Sequence, residues 1–247
     1  MFEQQIKQYL YQHSFGSFSP KAVLFDMDGV LYDSMPNHVV AWQESMKKFG
    51  IKMTAHDAYA TEGARGIDTI QRFVKAQQDR DISLDEAQLM YDEKSRIFHT
   101  MKEAPIFEGV IDLMRKIKAG NMQIGIVTGS GQRPLITRLI NDFHEFVDEA
   151  HVVTAYDVKR GKPYADPYLM GLEKCGKRKP WEGIVVENAP LGVRAGAAAQ
   201  CFTVAVNTGP LPDETLLQQG ANTLFHRITE LRDHWEELIE GARANSR

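Results

Sequence analysis

The chain has 247 residues, 43% of them hydrophobic and 25% charged, with a formal net charge of −4 at pH 7. This is an ordinary globular composition, with enough chain for one large or two modest domains. No run approaches the ~20 consecutive apolar residues that a membrane span needs, and the acidic balance lacks the basic footprint of duplex binding. Neither a membrane nor a nucleic acid is an expected partner. The opening MFEQQIKQYLYQHS has none of the basic, apolar and small-residue succession of a secretion signal, so the expected location is cytoplasmic. Cys175 and Cys201 make no disulfide framework and fall in no zinc-type spacing, so both read as small buried residues.

In residues 1–19, Ile6, Tyr9, Leu10 and His13 share one helical face and Gly16 and Pro20 end the segment, which predicts a helical arm outside the main fold. AVLFD (22–26) then forms a short apolar run of the kind that a strand buried on both faces shows. QIGIVT (123–128), HVVTA (151–155), GIVVE (183–187) and FTVAV (202–206) repeat that character. Helical patterns separate them: Val110, Leu113, Met114 and Ile117 closed by Gly120; a segment opened by Pro134; Leu169, Leu172 and Cys175 closed by Gly176. The alternation predicts βαβ units and an α/β fold, a Rossmann-like doubly wound parallel sheet. A closing helix is expected over 229–242.

One stretch breaks the alternation. From 35 to 104 every signal is helical: Pro36 opens a helix with Val39, Trp42, Met46 and Phe49; Asp68 opens another; Ser83 and Glu86 form a capping box before a third. Inserted after a strand's C-terminal end, such a block stands above the crevice where open α/β sheets bind ligands. The expected division is therefore a helical arm (1–19), a core (20–34 and 105–247) and a helical cap (35–104), with Trp42 filling the cap interior.

The chemistry gathers at strand ends. Asp26 and Asp28 stand one residue apart before Gly29, and alternation along a strand sends their side chains the same way. Two such carboxylates repel each other unless a hard cation neutralises them, which implies Mg²⁺. One aspartate can then attack a phosphorus while its neighbour handles the proton. Thr128, Gly129 and Ser130 offer a hydroxyl and free N–H groups to phosphate oxygens. Lys162, fixed by Pro163, supplies a cation. Glu187 and Asn188 add a carboxylate and a neutral oxygen for the metal. Each feature alone has a plain structural explanation; four in this order at parallel strand ends do not arise readily by chance.

The series FDMDGVLYDS, IVTGS, GKPYADPY and VVENAPLGVRAG resembles the four motifs of the haloacid dehalogenase-like phosphotransferase superfamily, in particular its β-phosphoglucomutase-like branch with a helical cap. The resemblance implies that Asp26 is the nucleophile forming an aspartyl-phosphate and Asp28 the general acid/base. It further implies that Thr128 and Lys162 hold the phosphoryl group, and that the Asp26 carboxylate, the Asp28 carbonyl and residues 187–188 bind Mg²⁺. Three departures matter. Glu187-Asn188 stands where relatives carry Glu-Asp. In the cap turn TEGARGID, Glu62 lies near a lysine position of the mutases and Gly66 near an arginine position, with Arg65 a candidate substitute. His38 matches a histidine that such mutases keep near the acid/base. The expected activity is a phosphohydrolase on a small phosphorylated metabolite or pyrophosphate, working as a monomer or weak dimer. The alternatives are a β-phosphoglucomutase and a non-catalytic phosphate-binding protein.

Overall fold

The computed structural model describes residues 2–245. Ala22–Phe25 (β1) is fully buried and lies in a six-stranded sheet of order β3-β2-β1-β4-β5-β6, the others being Gln123–Val127 (β2), Val152–Val153 (β3), Gly183–Glu187 (β4), Phe202–Val206 (β5) and Thr223–Phe225 (β6). Every pairing is parallel. β1 pairs with β2 on one side and β4 on the other, so the strand order reverses there, and the crevice of such a sheet opens at that point. The predominantly apolar strands follow from this arrangement, because helices cover both faces.

The helices are Glu3–His13 (α1), Met35–Lys48 (α2), Ala55–Ala60 (α3), Gly66–Gln78 (α4), Leu84–His99 (α5), Val110–Ala119 (α6), Arg133–Phe143 (α7), Asp166–Lys174 (α8), Pro190–Ala198 (α9), Asp213–Leu217 (α10), Ile228–Asp233 (α11) and Trp235–Ala244 (α12). One face of the sheet packs Val23, Phe25, Leu113, Ile117, Leu231 and Trp235. The other packs Leu24, Val127, Tyr168 and Leu172. Helices α2 to α5 have an apolar cluster of their own, with Trp42, Met46, Ile70, Val74 and Met90. Each such side chain contributes roughly 1.5–3 kcal/mol by burial, enough for these helices to hold their arrangement. The strands of chain entering and leaving this block run side by side, with the Asp33 N–H donating to the Pro105 carbonyl at 2.9 Å.

The structure corrects four expectations. Residues 1–19 are no detached arm: Ile6 and Tyr9 are fully buried, Tyr9 packs edge-on against Phe202 with ring centroids 5.4 Å apart, and its hydroxyl donates to the Gln200 carbonyl at 2.9 Å. The apolar face of this helix needed a partner and finds it beneath β5. The third strand is shorter than 151–155, because Asp157 accepts both the Thr154 N–H and its hydroxyl at 2.7 Å and bends the chain. The closing helix breaks at His234, which takes φ −96°, ψ 6°. Two short elements, α3 and β6, had too few residues to show a period. At Ser83 the side chain accepts from the Glu86 N–H, while a full capping box forms at Thr54 and Asp57. Cys175 and Cys201 are buried free thiols.

Candidate active site

The C-terminal end of β1 puts Asp26, 2% exposed, at the floor of the crevice. The ammonium of Lys162 reaches across to it at 2.5 Å and also donates to the Val127 carbonyl at 2.9 Å and to Glu187 Oε1 at 2.6 Å. Burial pushes the Asp26 carboxyl above its usual range and the lysine ammonium opposes that, while Glu187 adds to it. Burial would equally disfavour the Lys162 cation, yet Asp26 and Glu187 together raise its pKa. Two carboxylates sharing one ammonium explain how three charges persist in the interior. Glu187 is saturated: Oε1 also accepts from the Tyr168 hydroxyl at 2.6 Å, and Oε2 from the N–H groups of Asn188 and Ala189 at 3.1 and 3.3 Å. Gly192 lies so close that a Cβ there would meet Glu187 Oε1 at 1.8 Å.

Asp28 takes a different environment two residues on. Ser34 donates to its Oδ1 at 2.6 Å, and His38 Nε2 approaches the same oxygen within 3.0 Å without closing a hydrogen bond. Burial favours the neutral acid, but the His38 and Ser34 contacts outweigh it and hold the Asp28 pKa at about 2. Behind His38 lies Lys94, 2% exposed, its ammonium 2.7 Å from Nδ1 and 5.0 Å from the Phe98 ring centre. An ammonium has no lone pair, so Nδ1 is the acceptor and Nε2 carries the ring proton. Burial lowers the pKa of both His38 and Lys94, the latter to about 8.

Thr128 ends β2, and its hydroxyl accepts from the Ser130 N–H at 3.0 Å. Gly129 is where the cap touches the core: a Cβ there would meet the Gly63 carbonyl at 2.4 Å. Glu62, on the same cap turn and 9% exposed, accepts from the Asn188 amide nitrogen through Oε1 at 3.1 Å and Oε2 at 3.0 Å. Burial, then the nearby Asp26 charge, push the Glu62 carboxyl well above its usual range. Asn188 Oδ1 is buried with no partner.

These features decide how a cation could be held. Among the described residues no group of three His, Cys, Asp or Glu side chains is arranged for a metal. The orphaned Asn188 Oδ1, the Asp26 oxygen not held by Lys162 and the Asp28 carbonyl would offer the all-oxygen donors that a hard cation such as Mg²⁺ takes. Glu187, expected as a ligand, has no oxygen left over.

Asp26, Asp28, His38, Glu62, Thr128, Gly129 and Ser130 line one cavity of about 60 Å³. Arg65 does not. Its guanidinium is tied to Asp68 by two hydrogen bonds of 2.8 and 2.9 Å and lines a cleft outside that cavity. Gly66 explains itself through Tyr91, whose ring would lie 2.1 Å from a Cβ at that position; the ring fills the space where a long side chain would run.

Residues 23–206 match the family described as haloacid dehalogenase-like hydrolase. The chain belongs to that family. Hexitol phosphatase A of Escherichia coli is 30% identical over 85% of this chain and 93% of its own length. The β-phosphoglucomutase of Bacillus subtilis is 27% identical over 88% and 96%. A solved structure, a provisionally assigned β-phosphoglucomutase from Bacteroides vulgatus, is 43% identical, with a TM-score of 0.94 over 98% of each chain. This haloacid dehalogenase-like chain is an enzyme, a phosphohydrolase or phosphomutase.

Four contributors to the site of this haloacid dehalogenase-like enzyme escaped the sequence reading. Lys94 falls on the apolar stripe of α5 with Ala87, Met90, Ile97 and Phe98, all buried; a cation on such a stripe was a visible anomaly. Tyr168 lies inside the quoted motif GKPYADPY. Ser34 closes the quoted motif FDMDGVLYDS, and Tyr91 carried no signal that periodicity or spacing could separate from ordinary helix residues.

Proposed function

We propose that this enzyme is a Mg²⁺-dependent phosphohydrolase that works through an aspartyl-phosphate on Asp26, with a small phosphorylated metabolite or pyrophosphate as substrate. The observation that carries this reading is the content of the cap side of the cavity. Tyr91 fills it where Gly66 leaves room, Glu62 faces inward, and the cap cation that lines it, Lys94, is turned to His38 Nδ1 at 2.7 Å, so no cap arginine is on hand to grip a second, distal phosphate.

In the first step an Asp26 oxygen attacks the phosphorus, the bond from phosphorus to the leaving oxygen breaks, and Asp28 delivers a proton to that oxygen. At a pKa of about 2 Asp28 is ionised in the resting enzyme; a phosphate dianion arriving beside it raises its proton affinity, so that Asp28 takes up from solvent, as substrate binds, the proton it then donates. In the second step water attacks the aspartyl-phosphate, Asp28 takes the water proton, and orthophosphate leaves with Asp26 restored. Lys162 and the Thr128–Ser130 segment hold the phosphoryl oxygens as charge spreads over them. Asp26, the Asp28 carbonyl and Asn188 Oδ1 would hold Mg²⁺, which would supply further neutralisation of that charge. Glu187 keeps Lys162 in place.

His38 sits against Asp28 as the mutase resemblance implies, and this one observation favours β-phosphoglucomutase as the second reading. The test offers β-glucose 1-phosphate with a trace of the 1,6-bisphosphate, beside a panel of small phosphate esters and pyrophosphate, and follows free phosphate and glucose 6-phosphate together. Hydrolysis outrunning isomerisation on every substrate supports the phosphohydrolase. Isomerisation outrunning hydrolysis overturns it.

A further inference from the structure

Outside the catalytic cavity a second cleft, of about 580 Å³, opens between the cap helix α4 and the core. The cap turn at 61–65 divides the two; Thr61 and Ala64 line both. Its charged walls are Arg65, Arg72, Arg160, Lys162 and Arg194 against a single acid, Asp68. In a chain of net charge −4 this is a strong local reversal. We infer that this cleft is a binding site for an oligophosphate anion, two or more linked phosphates either free or on a nucleoside, which bridges cap and core.

The charges sort by partner. Lys162 spends its cation on Asp26 and Glu187. Arg65 is matched by Asp68 through Nε and one terminal nitrogen, and Arg160 by Asp166 at 3.0 and 2.9 Å in the same fashion. Those pairs fix the direction of each guanidinium and leave other N–H donors unspent. Arg160 also lies over the Tyr164 ring, 4.8 Å from its centre. Arg72 and Arg194 make no hydrogen bond or ion pair among the described residues. Two guanidinium groups without a hydrogen-bond partner, Arg72 on α4 near the Asp57 charge and Arg194 on α9, thus share the cleft with two preoriented ones. Arginine forks match phosphate oxygens in pairs.

Size distinguishes the ligand. The cleft has nearly ten times the volume of the catalytic cavity, about 580 against about 60 Å³, so a lone orthophosphate fills only a small part of it. A chain of linked phosphates carries several charges over the span that Arg72 and Arg194 flank. Position adds a consequence: Arg65 and Arg72 belong to the cap and Arg160 and Arg194 to the core, so an anion held here touches both.

The experiment titrates the metal-free full chain with inorganic triphosphate and, separately, with ADP by calorimetry. Wild type is expected to bind one equivalent, several-fold more weakly at 200 than at 50 mM salt, as an exposed ionic site is screened. The variant Arg72→Ala/Arg194→Ala is expected to bind at least tenfold more weakly, with an unchanged melting temperature because both side chains are exposed. Should that variant melt early, Arg72→Lys/Arg194→Lys keeps the charge, loses the forks and is expected to bind more weakly than wild type. Equal affinity for the two anions assigns recognition to the phosphate chain; tighter ADP binding adds a nucleoside contact, and both support the site. No wild-type binding, affinity indifferent to salt, or undiminished binding by the variants overturns it, the last by placing the anion in the catalytic cavity.

Discussion

Replacing Tyr91 by alanine tests whether the cap wall sets the substrate's size. The catalytic cavity of about 60 Å³ holds roughly four to six waters at 10–15 Å³ each. That is room for a phosphoryl group and little else. Tyr91 is held by its hydroxyl, which accepts from Gln132 at 3.1 Å, and by the bare Gly66 beside its ring. Removing the ring joins its volume to the cavity. A fully buried aromatic truncation costs about 3–5 kcal/mol; Tyr91 is half-buried, so about 2–3 kcal/mol is expected, or a fall in Tm of roughly 4–12 °C at this chain length. Pocket contacts of this kind discriminate by about 1–3 kcal/mol, a factor of 10–200. The ratio of kcat/KM for a hexose phosphate to that for pyrophosphate should rise by such a factor in the variant. A ratio unchanged within twofold in folded protein would show that the ring does not limit the substrate.

Three further outcomes are expected. Asp26→Asn should abolish turnover and leave the melting temperature the same or higher, since one of two buried carboxylates on a single ammonium is neutralised while Glu187 still pairs Lys162; more than a trace of wild-type rate excludes Asp26 as nucleophile. Asn188→Asp removes the amide donor that Glu62 accepts from and sets two carboxylates together, so the metal-free protein should lose ~1–3 kcal/mol. Adding Glu62→Gln should recover most of that loss in urea melts, and no loss in the single variant would show the contact to be idle. Ile6→Ala should cost ~2–5 kcal/mol, as truncation in a packed core does, whereas an effect below 1 kcal/mol would return residues 1–19 to the status of an arm.

The sheet was legible because buried parallel strands advertise themselves: four apolar runs at 22, 123, 183 and 202 became β1, β2, β4 and β5. The motif residues at their ends could be named because each follows such a run directly. Periodicity could not say whether a helix's apolar face meets its own domain or nothing, and α1 was misplaced for that reason. Tertiary contact alone decides which oxygen is spare. Glu187 and Asn188 looked interchangeable as ligands until Tyr168, Lys162 and two backbone N–H groups were found to occupy one of them. Arg65 was drawn to the cavity by its place in the turn, but Asp68, three residues on, captures it.

The seat of α1 also has a meaning for how the chain comes to be folded. Its partners are distant in sequence: Tyr9 waits for Gln200 and Phe202, and just beyond the helix the Phe18 N–H waits for the carbonyl of Asn245. During synthesis from the N-terminus, which proceeds at roughly 5–20 residues per second, this helix leaves the ribosome well before its partners and cannot dock until they have followed. For that interval, of the order of ten seconds or more at such a rate, Ile6 and Tyr9 stay open to solvent and to chaperones. The docking of α1 is thereby a late event, and it closes over β5 only when the last helix of the described chain is in place.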